Sequence, residues 1–185
     1  MATSQEILDR YSKLTAWCDA FWQRVVARFP DQFACATGCG ICCTLSSVNQ
    51  IEAAVIAGHC AAHPEALRSP LPDPANDEWC PFLTDDTCRI YAARPLICRT
   101  HGLLLRSSDF TDRIAASCPF NFATVEFEDV GEEFALDAEK ISLNLARLNA
   151  AWCMVKGMGK GKDATERVRL KELAEGKNEE CSHIS

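Results

Sequence analysis

Four of the nine residues from Cys35 to Cys43 are cysteine, and twelve cysteines occur in the whole chain of 185 residues. That density limits the fold more than any other feature. A chain this long is not a disulfide-stapled mini-protein. The first ten residues are polar and acidic, with no basic start and no apolar run, so no secretory signal is read there. No apolar stretch approaches the roughly 18 residues that span a bilayer. The expectation is a soluble, cytoplasmic protein in a reducing compartment, where clustered cysteines serve as metal ligands or catalytic thiols rather than as structural disulfides.

Thiolate is a soft ligand that suits zinc and iron–sulfur clusters and suits magnesium or calcium poorly. The central segment reads Cys35-Ala-Thr-Gly-Cys39-Gly-Ile-Cys42-Cys43, and further candidate ligands follow at Cys80, Cys88, Cys98 and Cys118. The two-residue gap between Cys39 and Cys42 lets both sulfurs turn toward one ion. Gly38 and Gly40 let backbone amides approach the sulfurs, where hydrogen bonds stabilise negative charge and tune a cluster's potential. Cys42 and Cys43 are adjacent, and in an extended backbone they point opposite ways. Eight thiolates can serve two four-ligand sites, or one site with spare thiols, and the sequence does not choose. Zinc favours paired Cys-x2-4-Cys knuckles. Only Cys35 to Cys43 has such spacing, which tilts the reading from zinc toward an iron–sulfur cluster.

Around the cysteines the pattern is mainly helical. Ile7, Tyr11, Leu14, Cys18, Phe21, Val25 and Phe29 recur at three- and four-residue spacing and predict a helix over 3–29. Thr3 and Glu6 form a capping box, Pro30 is the stop, and Trp17 and Trp22 widen the apolar face. Residues 34–46 are a loop. A second helix is expected from Ser47, with Gln50 as its capping partner, to about His59. The stretch His63 to Asp77, with four prolines, reads as an exposed connection. A helical turn is expected over Cys88 to Ala93, ended by Pro95. Gly102 to Arg106 and Arg113 to Ser117, joined through Ser107 to Asp109, read as a small hairpin. Asp137 caps a helix over 137–156, whose stripe of Ile141, Leu145, Leu148, Trp152 and Val155 is broadened by Leu143, Ala146 and Ala150. It is expected to pack on the first helix or on another subunit. The tail is rich in Gly, Lys and Glu, with one exposed helix over 164–174 and disorder beyond.

Several residues have blander readings. Cys18, Cys60 and Cys153 sit among apolar helical neighbours and read as small core residues. Cys181 reads as a thiol in the tail. His59 and His63 flank a helix end. His101 can complete a mixed Cys/His site, but an ordinary hydrogen-bonded histidine fits as well. Arg89, Arg94 and Arg99 can neutralise thiolate charge, and Arg94 and Arg99 are taken as residues beside the cofactor, with bracing of the loop as the alternative. Cys39-Gly-Ile-Cys42 is also a thioredoxin-type spacing, but that chemistry needs the first thiol at a helix N-terminus after a strand. Gly157-x-Gly159-x-Gly161 lacks the Lys-Ser/Thr ending of a phosphate loop. The net charge of −7 shows no basic face, so neither nucleic acid nor a membrane surface is expected as a partner.

The cysteine segment resembles the signature of the CxxCxxCC, or YkgJ-like, cysteine-cluster family, described as zinc- or iron-chelating. Cys80-Pro81-Phe82-Leu83, Cys88-Arg89-Ile90-Tyr91 and Arg94-Pro95-Leu96-Ile97-Cys98-Arg99 are similar to the family's second half. Two departures stand out: three residues separate Cys35 from Cys39, and Thr87 replaces a glycine often found there. The resemblance covers residues 35–118. It implies metal binding without implying one reaction, although some relatives resemble iron–sulfur proteins that modify other proteins. The expectations are therefore a mainly α protein with irregular cysteine-rich metal-binding loops and one small β-hairpin. A single domain would span 1–157, followed by a charged flexible tail over 158–185. The metal ligands would be Cys35, Cys39, Cys42, Cys43, Cys80, Cys88, Cys98 and Cys118, holding an iron–sulfur cluster or zinc. The function would lie in redox or protein-modification and maturation chemistry, or in a structural zinc adaptor. A protein partner is expected, and a homodimer through the apolar helices.

Overall fold

The computed structural model describes residues 2–36, 38–67, 79–109, 114–126, 129–158 and 165–177. The chain begins with α1, Ser4–Arg28. Its start is the expected capping box: Thr3 accepts from the Glu6 amide, and the Glu6 carboxylate accepts from the Thr3 amide. Pro30 opens a 3-10 turn, Pro30–Gln32, immediately after it. Ile7, Tyr11, Cys18, Phe21 and Val25 are buried along one face, while Trp17 is 49% exposed. Trp22 instead packs edge-on against Phe33, with ring centroids 5.0 Å apart.

The second helix, α2, is Gln50–Ala62. Its cap is Asn49, not Ser47, because Asn49 accepts from the Glu52 amide. Ser47–Val48 form a short strand, β1, and the Ser47 hydroxyl and carbonyl accept from Arg167. A 3-10 turn follows at Pro64–Leu67. The rest of the proline-rich connection, 68–78, lies outside the described residues.

Leu83–Thr84 (β2) and Thr87–Cys88 (β3) form an antiparallel hairpin, with Leu83 opposite Cys88 and Thr84 opposite Thr87. The expected helical turn therefore begins later, as a 3-10 turn at Tyr91–Ala93. The hairpin was hidden because its two-residue turn is Asp85-Asp86 rather than Asn-Gly. Both aspartates take positive φ, +48° and +56°, as the favoured hairpin turn requires. Pro95 then precedes a short helix, α3, Leu96–Thr100.

The expected hairpin is present: Leu104–Arg106 (β4) pairs antiparallel with Ile114–Ala116 (β5). A third strand, β6 (Leu136–Asp137), joins β4 in parallel. It leads directly into α4, Ala138–Val155, capped by Asp137 through the Lys140 amide. α4 packs on both α1 and α2. Leu143, Ala146 and Ala150 are exposed and do not widen its buried face. Asn149 is buried instead, and its side-chain oxygen accepts from the Ile51 amide at 3.1 Å, capping the start of α2.

The predicted exposed helix near 164–174 is a strand, Val168–Arg169 (β7), followed by a short helix, Leu170–Ala174 (α5). β7 pairs with β1. Leu170, Leu173 and Ala174 are buried against Val48, Ile56, Ala57 and Phe82, so this part of the supposed tail belongs to the core. Three apolar clusters result. One joins α1 to β4, β6 and Phe122; a second joins α2 to the β2–β3 hairpin and α5. In the third, Ile7, Tyr11, Ile51 and Trp152 join α1, α2 and α4. Among the described residues no helix is long and apolar enough to cross a membrane.

Candidate metal centre

The first cysteine loop follows the 3-10 turn after α1 and is tied down from a distance. Asn121, only 1% exposed, accepts from the Ala34 amide at 2.9 Å and donates to the Gly102 carbonyl at 2.8 Å and to Cys35 Sγ at 3.3 Å. The Asn121 amide bonds the Cys118 carbonyl, so Cys35 and Cys118 are brought to one place by one side chain's neighbourhood. Gly102 has to be glycine here. Its φ is +92°, and a Cβ would stand 2.8 Å from Asn121 Nδ2 and 2.9 Å from Trp22. Within the loop, the Cys39 amide bonds the Ala36 carbonyl and the Cys43 amide bonds the Gly40 carbonyl at 2.8 Å. Cys42 and Cys43 therefore lie on a turn rather than on extended backbone, and the Cys42 thiol donates to Cys43.

The second set approaches from the hairpin and α3. The Cys80 amide donates to the Cys43 carbonyl at 2.7 Å. The Cys80 sulfur receives the amides of Phe82 and Leu83, and the Cys88 sulfur receives the Ile90 amide. Cys98 sits on α3, which is held at both sides. The buried Glu52 carboxylate on α2 accepts from the Leu96 amide at 2.9 Å, and Asp19 on α1 pairs with Arg94 at 2.8 Å and with Arg99. Arg99 also donates to the carbonyls of Arg94 and Ala92. The Arg-Pro-Leu-Ile-Cys-Arg segment is thus braced between the two helices.

The thiols repel one another's charge. Burial first, then neighbouring thiols, push Cys42 and Cys80 up to about 11 and Cys98 up to about 12. Cys35, Cys43 and Cys88 are also raised, mainly by burial. Without a cation these six stay protonated at neutral pH. A bound cation would reverse the balance, because a coordinating thiol loses its proton. For Cys88 the charges of Arg94 and Arg89 already pull the other way.

Residues 34–119, somewhat under half of the chain, match the model of a protein family, CxxCxxCC, described as "Putative zinc- or iron-chelating domain". This segment is similar to that domain. No curated protein and no solved structure matches the chain.

The eight predicted ligand cysteines lie in the first loop (Cys35, Cys39, Cys42, Cys43), at the β2–β3 hairpin (Cys80, Cys88), on α3 (Cys98) and just after β5 (Cys118). As they stand, no three His, Cys, Asp or Glu side chains among the described residues are grouped closely enough to hold an ion. The donor set nevertheless fits zinc or iron: it is all sulfur, several sulfurs accept N–H groups, and arginines stand beside Cys88. Arg94 braces the loop through Asp19 and the Tyr91 carbonyl, and its charge lowers the pKa of Cys88. Arg99 is engaged by Asp19 and by the carbonyls of Arg94 and Ala92, so bracing is what its geometry supports. Cys18, Cys60 and Cys153 are buried within α1, α2 and α4. His101 ends α3, and burial lowers its pKa. Cys181 lies outside the described residues.

The sequence reading missed Asn121, Asp19 and Glu52. Asn121 had a local signal, three residues after Cys118, but nothing local tied it to Cys35, 86 positions away.

Proposed function

We propose that this protein holds an iron–sulfur cluster through its clustered cysteines and uses it in redox chemistry or in modification or maturation of a partner protein. The observation that carries the reading is the donor set: eight thiols with no histidine needed, with N–H donors on Cys35, Cys80 and Cys88. Such donors stabilise thiolate charge and set a cluster's potential. When bound, the cluster would supply one-electron chemistry. The chain's own residues would hold the sulfurs in place, offset charge at Cys88 through Arg89 and Arg94, and keep α3 fixed against α1 and α2. A protein partner suits the acidic balance better than nucleic acid does.

Zinc in a structural adaptor is the second reading. It is favoured by the packing of Cys80 and Cys88 against the cluster that contains Phe82 and Ile90. An ion there would fasten the β2–β3 hairpin to the core around α2, as structural zinc does in small domains.

The test is metal and acid-labile sulfide analysis with a visible spectrum, on protein purified without oxygen. Iron with sulfide and a broad band near roughly 400 nm supports the first reading. Zinc without sulfide supports the second. Titratable thiols without any metal overturn both.

A further inference from the structure

α4 has two unlike faces. One is buried: Ile141, Trp152 and Cys153 pack inward, and Asn149 caps α2. The other is exposed, yet poor in charge for a helix face in water. Leu143 is 50% exposed, Met154 76% and Val155 39%, and Ala146 and Ala150 are exposed beside them. Two exposed charges frame Leu143 at four-residue spacing, Glu139 before it and Arg147 after it. Residues four apart in a helix share a face and stand about 6 Å apart along the axis. Glu139, Leu143 and Arg147 therefore form one outward stripe, acid, apolar, base. The Glu139 carboxylate is already held in place. Its Oε1 accepts from the Ser107 hydroxyl at 3.0 Å, from the Ser108 amide at 2.7 Å and from the Ser108 hydroxyl. The Ser108 and Ser107 donors lower its pKa, so it carries its charge at neutral pH. Little side-chain freedom is left for it to lose on meeting a partner.

We propose that this stripe is the contact face of a homodimer, in which α4 packs antiparallel on α4 of a second copy of the chain. Charge complementarity selects that occupant. A two-fold interface must complement itself residue for residue. Acid, apolar, base read backwards is base, apolar, acid. A two-fold axis passing at Leu143 sets Leu143 against the partner's Leu143. It sets Glu139 against the partner's Arg147 and Arg147 against the partner's Glu139, because each charge lies four residues from the axis. A parallel arrangement would set like charges together. An exposed ion pair contributes little by itself. The apolar contact therefore supplies the attraction, and the charges fix direction and register. One helix face is smaller than the standard interface of roughly 800 Å² per partner, so the dimer is a weak one, forming at about 100 µM. The inference goes beyond the metal-binding reading and does not depend on it.

The experiment is sedimentation velocity on the full chain over a concentration series reaching about 300 µM. The unaltered protein is expected to pass from monomer to dimer across the series. Arg147→Glu sets a carboxylate against the partner's Glu139, and Glu139→Arg sets a guanidinium against the partner's Arg147. Each variant alone is expected to dimerise at least about tenfold more weakly. Mixed in equal amounts, the two variants regain both opposite-charge pairs, and a mixed dimer as stable as the original is expected. An unaltered chain that stays monomeric throughout would overturn the proposal. So would a dimer that survives Arg147→Glu unchanged, because the contact would then lie elsewhere, and so would two folded variants that fail to associate when mixed. Far-UV circular dichroism checks that each variant is folded. Should Glu139→Arg lose its fold with the Ser107 and Ser108 bonds, Leu143→Ser replaces it: loss of the dimer is expected there, and its persistence overturns the two-fold contact at Leu143.

Discussion

The helical frame and the thiol loops are stabilised in different ways. α1 and α4 have capping side chains, lengths of 25 and 18 residues and buried faces. Fully burying one side chain such as Phe21 or Val25 is worth about 1.5–3 kcal/mol, so such faces hold a helix without help. The loops around Cys35–Cys43 and Cys80–Cys98 contain two-residue strands, a turn with two aspartates at positive φ, and a five-residue helix. They are held by a few long-range polar bonds, and burial raises the pKa of six of their thiols. The contrast teaches that burial and caps hold the frame, whereas the thiol loops are held by a few polar bonds to it.

Metal removal should expose that difference most. After chelation, amide exchange over residues 80–98 is expected to speed up by about tenfold or more, while α1 and α4 stay protected. Hydrogen-exchange mass spectrometry checks this, and equal loss of protection across α1 would break the comparison.

Asn121→Ala should come next. It leaves the Ala34 amide and the Gly102 carbonyl without their partner and removes the donor to Cys35. Each abandoned buried group costs about 1–3 kcal/mol, so a loss of about 3 kcal/mol is expected in urea unfolding. Metal affinity should fall as well.

Asp19→Ala tests the link between frame and loops. It releases Arg94 and Arg99 together, and the partly buried pairs are worth about 2 kcal/mol. The expected signature is a lower unfolding midpoint with the metal count unchanged. A changed count would mean that the bracing is part of the ligand geometry.

The smallest effect concerns Glu52. Burial raises its carboxyl above the usual 4.5, only partly offset by the amide of Leu96 and its other donors. Its charge therefore opposes folding at neutral pH, and that cost is relieved as pH falls through the raised value toward 4.5. Glu52→Gln should remove the relief. The stability of the unaltered protein relative to the variant should rise from pH 7 to pH 5, by about 1 kcal/mol or less. Urea midpoints at the two values decide it, and a fall in that difference would reverse the sign assigned to Glu52.

Much of the frame was legible from local pattern. The Thr3–Glu6 box, the Asp137 cap and the period of Ile7, Tyr11, Cys18 and Val25 are short-range signals, and short-range physics sets helix ends and faces. The β4–β5 hairpin was legible for the same reason. The α5 region was not: Leu170, Leu173 and Ala174 look like part of a polar tail until Val48 and Phe82 are seen to cover them. The Asp85-Asp86 hairpin was missed because aspartate marks a loop as readily as a left-handed turn.

The sequence by itself determined the chemistry of the site, because sulfur's preference for zinc and iron belongs to the side chain and needs no fold to express it. It determined the long helices too, whose periods and caps are local. Only the tertiary structure decided which cysteines lie together, since Cys35 meets Cys118 through Asn121 and Cys43 meets Cys80 through a backbone bond. Those meetings join residues far apart in the chain, and their free energy comes from burial and satisfied hydrogen bonds across elements, which no local pattern records.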